Sequence, residues 1–257
     1  LLAQEAFPHM VEASRGAGFA PGSDILVQTV TEEESTGNGA LSTLLRGYRA
    51  DAVFIPESTE QMLFRGHVGV IWFRLRCRGV AGHASMSRAG SNFILSTLGV
   101  LQAVEALNRD FNVEAMTSPL CAGMQDPIKF NVGAIRGGDW ASSSPSWCDV
   151  DCRIGFPPQM AIAEARARIV AAIEHAAAKD PLLASFPPDV VWTGFQAEPY
   201  VLEPDTPAEV SLRRAHEMVL GAPLHERFTE GVNDTRAYGL YFGIPGLCYG
   251  GDGVGLH

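Results

Sequence analysis

From Val68 to Arg78 the chain reads VGVIWFRLRCR, an alternation of apolar and polar residues. Period two is the mark of an antiparallel strand with one wet face. The apolar runs upstream are of another kind: DILVQTV (24–30) and DAVFI (51–55) are short and nearly continuous, as in strands buried on both faces of a parallel sheet. Gly39 to Tyr48 between them has helical apolar spacing, so the first stretch reads β-α-β. Two textures of strand in one chain imply two layers of different construction.

Beyond Arg78 the pattern predicts a helix over Ser91 to Leu107, strands over Ile128 to Ile135 and Trp147 to Ile154, an amphipathic helix over Ala161 to Ala178, and a strand over Val190 to Phe195. The order β-α-β-β-α-β is that of a ferredoxin-like sandwich. After Pro204-Asp205-Thr206-Pro207 the α/β texture returns, with a helix over Ala208 to Leu220 and a strand over Gly246 to Tyr249. The expected fold is therefore α/β: a parallel or mixed sheet with helices on both faces (1–65 and 201–257), interrupted by an inserted ferredoxin-like α+β domain (66–200). No internal repeat is visible.

Composition narrows the partners. With 29 acidic and 19 basic residues the formal charge is −10, and no Lys/Arg block offsets it. Such a chain has no general attraction for phosphate backbones or anionic lipid, so neither nucleic acid nor a membrane surface is an expected partner. The apolar stretches fall short of the ~20 residues that cross a bilayer. Residues 1–20 lack the order of features of a signal peptide. Five scattered cysteines without a Cys-x-x-Cys pair fit a reduced, cytoplasmic setting. The chain opens without Met inside a helical pattern (1–18) and stops just after a Gly-rich loop, which suggests a piece lacking its N-terminal part and its C-terminal end.

Thr31 is followed by Glu32, Glu33 and Glu34, then Ser35-Thr36-Gly37-Asn38-Gly39. A solvated cap on the next helix would explain three adjacent carboxylates. Their place past a strand end suggests more, because ligands of open α/β sheets sit at the carboxyl ends of strands. Glu57, in IPEST, lies just past the next strand. Acidic groups facing one crevice are costly unless a cation joins them. His257, at the end of YGGDGVGLH, would complete a mixed oxygen and nitrogen donor set suited to zinc, cobalt or manganese.

These segments together resemble the zinc-dependent amidohydrolases and exopeptidases that include acetylornithine deacetylase, succinyl-diaminopimelate desuccinylase, aminoacylase and glutamate-releasing carboxypeptidase. TVTEEESTGNGA is similar to that family's acidic pair, which implies Glu33 as general base and Glu34 as metal ligand. ADAVFIPEST resembles the segment supplying the second metal, implying Glu57 as ligand. RGVAGHAS resembles the lid motif whose His, here His83, reaches a partner subunit's active site, and Asn92 fits the pattern after it. CDVDCRIG and GVNDTRAYGLYFGIPGLCYGGDGVGLH resemble segments that would make Arg153 and Arg236 substrate contacts and His257 the last metal ligand.

The resemblance implies two divalent ions, a homodimer formed through the inserted domain, and hydrolysis of the amide of an N-acyl amino acid by a water that Glu33 activates. The wording TEEESTGNGA, GGDW and GFQAEPY is closest to acetylornithine deacetylase-like members. A dipeptidase or carboxypeptidase is the alternative, and an inactive homologue serving as a dimeric binding module is the second. The family's His-x-Asp motif and bridging Asp are absent from Leu1 to Asp24. His9, His67, His175, His216 and His225 have no partner motif, and packing accounts for Cys148, Cys152 and Cys248.

Overall fold

The computed structural model describes residues 9, 11–87 and 91–253. They form two compact units: one holds the described parts of Leu1–His67 and Asn233–His257 together with Tyr200–Thr229, the other Val68–Pro199 with Glu230–Val232. Of the helix expected over 1–18, residues 11–16 are helical, while 1–8 and 10 lie outside the described residues.

In the first unit α1 (Asn38–Leu45) buries Ala40 and Leu44, one turn apart on a single face, and gives way at Gly47, whose φ of 95° no other residue adopts as cheaply. Strands β1 (Val53–Ile55) and β2 (Leu63–His67) follow. After the second unit the chain returns through β9 (Tyr200–Val201), α5 (Pro207–Leu220), β10 (Glu226–Thr229), α6 (Thr235–Phe242) and β11 (Gly246–Cys248). Thr206 caps α5 from outside with Pro207 at the first position, and Gly221 in the left-handed region ends it.

The sheet runs β1-β11-β2-β10, with β9 also on β2. It is mixed, β11 lying parallel to β1 and antiparallel to β2. Leu247 packs with Leu63, Tyr200, Leu202 and Leu224, beside Ala208 and Leu212 of α5. On the other side Ala40 and Leu44 meet Ala237, Tyr238 and Ile244, beside Val53 and Ile55. The sheet is thus covered on both faces. Arg65 and Glu209 form a buried double hydrogen bond at 2.8 and 2.7 Å, extended by Glu226 and Arg213.

The strand expected over Asp24 to Val30 does not form. That segment pairs with no strand among the described residues, and Ile25, Leu26 and Val27 are 45%, 51% and 51% exposed. A β-branched run becomes a strand only where a neighbour takes up its N–H and C=O groups. Here the chain is pinned by a side chain instead, Gln28 Oε1 accepting from Thr43 Oγ1 and from the Tyr238 hydroxyl, each at 3.0 Å.

The second unit contains β3 (Gly69–Arg78), β4 (Gly82–His83), α2 (Phe93–Ala115), β5 (Phe130–Gly137), β6 (Ser143–Ser144), β7 (Trp147–Phe156), α3 (Ile162–Lys179), the short α4 (Pro181–Ser185) and β8 (Asp189–Ala197). Its antiparallel sheet has the order β5-β7-β3-β8, the ferredoxin-like arrangement. Register places Ile71, Phe73, Leu75 and Cys77 opposite Ile154, Cys152, Val150 and Cys148, all buried. Val100, Val104 and Phe111 of α2 and Ile169 and Ile173 of α3 complete that core. The other face alternates charge, with Arg74 on Asp151 and Arg78 on Asp149, each at 2.6 Å.

Strand β3 is central, between β7 and β8, and its apolar face is fully buried. A strand long enough to alternate over ten residues gains most from two neighbours, and so takes the middle of the sheet. Exposed apolar side chains of this unit include Leu95, Leu98 and Val113 on α2 and Val132 and Ile135 on the edge strand β5.

Candidate active site

Residues 31–39 form a tight loop leading into α1. Glu32 takes the left-handed conformation (φ 62°), and its carbonyl accepts the N–H groups of Ser35, Thr36 and Gly37 at 3.2, 3.0 and 2.9 Å. Thr36 Oγ1 donates to Glu32 Oε2 at 2.6 Å. A Cβ on Gly39 would collide with the Thr31 carbonyl oxygen, so the close return of the chain requires glycine there. Glu33 and Glu34 are carried on this closed loop. Of the three adjacent glutamates, Glu32 serves the loop itself.

Glu57 follows β1 directly. Tyr249 N–H donates to Ile55 O at 3.1 Å, Gln61 N–H to Gly250 O at 2.9 Å, and Thr59 Oγ1 both donates to Gly250 O (3.1 Å) and accepts from Gly250 N (2.8 Å). Glu57 therefore stands where the parallel strands β1 and β11 both end, the usual ligand position of α/β sheets. The neighbour that makes this crevice is β11, in place of the strand expected at 24–30.

A fourth carboxylate joins them. Asp234, 4% exposed, stands just before α6, and Arg236, 6% exposed, lies in its first turn. Arg236 Nη2 donates to Thr36 O at 2.7 Å, which ties α6 to the glutamate loop.

The charges register this crowding. Burial pushes the Glu33 carboxyl up to about 8, reinforced by Glu57, Asp234 and Glu34 and opposed by Arg236. Burial lifts Asp234 to about 7, with Arg236 opposing and Glu57 adding. Glu57 is raised by burial and then by Glu34. The Cys248 thiol is driven up by burial and further by Glu57 and Glu33, which puts it beside the same cluster. Mutual repulsion is present as expected, yet burial is the larger cause in each case. A lone buried carboxylate, far from any cation, protonates instead of bearing its charge.

The structure thus brings Glu33, Glu34, Glu57 and Asp234 within electrostatic reach of one another. His257, the expected nitrogen ligand, lies outside the described residues. Hard oxygen donors of this kind suit a divalent ion in type. Among the described residues, however, no three His, Cys, Asp or Glu side chains are grouped closely enough to hold one.

The other expected residues belong to the second unit. His83, in β4, is exposed, and its Nδ1 lies 2.7 Å from Ser85 Oγ and accepts the Ser85 N–H at 3.2 Å. Asn92 is the N-cap of α2, its Oδ1 accepting from the N–H groups of Ile94 (3.0 Å) and Leu95 (3.2 Å). Arg153, on β7, donates from Nη2 to Glu230 O at 3.0 Å, and burial lowers its pKa.

Sequence reasoning missed Asp234. The available signal was its place in GVNDTRAYG, immediately ahead of a helix and two residues before Arg236. The structural duty of Gly37, described below, left no mark in the sequence beyond a Gly-x-Gly.

Residues 65–181 match the family model described as a peptidase dimerisation domain. The chain is 24% identical over 247 residues to an N-formyl-4-amino-5-aminomethyl-2-methylpyrimidine deformylase of Halalkalibacterium halodurans, a match spanning 88% of this chain and 56% of that protein. Among solved structures it resembles a tripeptidase from Staphylococcus aureus, with a TM-score of 0.64, 15% identity, and coverage of 86% of this chain and 54% of the other. An M20 family metallo-carboxypeptidase from Sulfolobus solfataricus gives a TM-score of 0.58 at 12% identity, covering 83% of this chain and 66% of that one. The chain spans about half the length of the deformylase and the tripeptidase. No described helix is long and apolar enough to cross a membrane. Residues 65–181 thus resemble a peptidase dimerisation domain, and the likeness to the solved structures shows a shared fold, an α/β unit with that domain inserted into it.

Proposed function

We propose that this chain supplies the general base and part of the metal-binding set of an amide hydrolase that deacylates an N-acyl amino acid. The observation that carries this reading is the gathering of Glu33, Glu34, Glu57 and Asp234 where β1 and β11 end, with Glu33 pushed up to about 8. A carboxyl poised near neutrality takes and returns a proton with little loss in either direction. In this reading Glu33 removes the proton from the water attacking the amide carbonyl. The amide C–N bond then breaks as the protonated Glu33 hands that proton to the leaving amine.

Glu34, Glu57 and His257 would hold two divalent ions, which supply Lewis-acid polarisation and a more acidic water when bound. The partner subunit's His83 would hydrogen-bond to the developing oxyanion. Arg153 would meet the substrate's carboxylate, a task its five donors leave room for beside the bond to Glu230 O. Segments 1–65 and 201–257 form the catalytic domain, and 66–200 the lid through which two copies pair. The exposed apolar residues of α2 and the open edge of β5 support that pairing.

The deformylase relative favours acyl removal from an amine. The tripeptidase and carboxypeptidase likenesses favour a second reading, release of a terminal amino acid from a short peptide. Incubating the purified, zinc-supplemented full-length protein with N-formyl and N-acetyl amino acids against dipeptides and tripeptides decides between them. Turnover of acyl amino acids alone supports the first reading, and turnover of peptides alone the second. Turnover of neither would refute both.

A further inference from the structure

We infer that Gly37, Asp234 and Arg236 form a clamp that holds the loop carrying Glu33 and Glu34, and that Asp234 and Arg236 are positioning residues. The inference rests on the proposed role of Glu33 only for its catalytic consequence. The geometry stands by itself.

Gly37 is buried, sits at the N-cap of α1, and takes φ 71°, a left-handed conformation. A Cβ there would stand 2.6 Å from Arg236 Nη2 and 2.8 Å from Asp234 Oδ1. Those two side chains therefore occupy the space that any other residue at position 37 would claim. Glycine is required twice, once by its backbone angle and once by this approach. The guanidinium entering the notch bonds the carbonyl of the preceding residue, Thr36.

The loop is thus tied at both ends. Inside it, the Glu32 carbonyl collects three N–H groups; outside it, Arg236 holds Thr36. The anchor is itself rigid, because Ala237 and Tyr238, next along α6, pack on Ala40 and Leu44 of α1. Arg236 is expected from the resemblance to contact substrate. At 6% exposure, with its guanidinium on the loop backbone, it is placed to position Glu33 instead. A lysine has no planar fork with which to fill the notch and reach Thr36 O together. Asp234 Oδ1 fills the other side of the same notch, beside the guanidinium.

Two variants of the full-length protein test this, Arg236→Lys and Gly37→Ala. Amide hydrogen exchange at Ser35, Thr36 and Gly37 should quicken about tenfold in each, the scale of one lost charged hydrogen bond, with the amides of α2 unchanged. Unchanged exchange in the loop overturns the clamp whatever the activity. On the substrate found above, kcat should fall about a hundredfold with KM nearly constant, as for a misplaced catalytic group. The double variant should be little worse than either single one, since both break the same device. A raised KM with unchanged kcat in Arg236→Lys would instead make it a substrate contact and overturn the positioning role. If the wild-type protein hydrolyses nothing while loop exchange responds as described, the proposed reaction fails and the clamp stands.

Discussion

Glu57 and Gly250 meet backbone to backbone: a Cβ on Gly250 would collide with the carbonyl oxygen of Glu57. The segment leaving β11 is thereby seated on the segment leaving β1, with Thr59 Oγ1 bridging to both polar groups of the same glycine. Gly250→Ala forces the two apart. We expect a loss of about 2 kcal/mol in urea unfolding, typical of an overpacked contact, together with loss of most activity as Glu57 is displaced. Wild-type stability in that variant would show that the contact yields freely.

Glu33→Gln keeps size and hydrogen-bonding capacity but cannot carry a proton. Activity should drop at least about a hundredfold while metal content, read by elemental analysis of the full-length protein, stays near wild type. A fully active variant would refute the assignment of Glu33.

The same group sets a pH dependence of stability. Glu33 and Asp234 titrate near 8 and 7 in the folded protein against ordinary values of 4.5 and 3.8. Between those limits the unfolded chain holds fewer protons than the native one, so stability falls as pH rises. Urea midpoints of the metal-free protein should therefore decline from about pH 4 to about pH 8 and then level off. Glu33→Gln should flatten that slope and be the more stable protein at pH 8. A midpoint rising through this window would contradict the burial of these carboxyls.

Two inactive proteins should rescue each other. Mixing His83→Ala with Glu33→Gln, after subunit exchange, should give a heterodimer with one site holding an intact Glu33 and the partner subunit's His83. Activity above both parents is expected. Exchange without rescue would remove the role in trans.

Glu209 is fully buried and carries two bonds from Arg65 and one from Arg213. Glu209→Ala takes from Arg65 its buried carboxylate partner and leaves it the more exposed Glu226. We expect a cost of about 2 kcal/mol, the scale of lost charged hydrogen bonds and more than a surface ion pair gives, measured by denaturant unfolding.

What the sequence made legible follows the size of the physical signal. The ten-residue alternation of β3 and its mate in β7 commits a whole face to the core, and a slip of one residue would bury Arg74 and Arg76. That pattern is hard to misread. The segment 24–30 has the same kind of residues as a strand, but strandness depends on a neighbour that local composition does not encode. Strand β1 is three residues long, and its limits come from its pairing with β11, far along the chain. Glu33 and Glu34 stand out in the sequence as part of an acidic run, and Glu57 as a carboxylate just past a strand, each in a recognisable segment. Asp234 looked like an ordinary helix-start residue, and only the fold reveals that it faces them. His83, Asn92 and Arg153 are where the sequence put them along the chain, while their local bonds to Ser85, to the α2 N-terminus and to Glu230 are set by turns that no periodicity announces.

Residues His67 and Tyr200 stand opposite each other on β2 and β9. The entire segment between them leaves the first sheet and returns to it at one rung. For a disordered chain, bringing such distant ends together is an entropic barrier that grows with the logarithm of the length enclosed. Within that segment, though, Val70 pairs with Ala197, so β3 and β8 already bring its two ends side by side. If the inserted segment orders first, the long excursion shrinks to a hairpin's worth of slack, and the outer sheet closes as readily as if the insertion were a turn. The order of events in folding is then written into one pair of rungs, and a mutation in the β3–β8 ladder should slow assembly of a sheet it never touches.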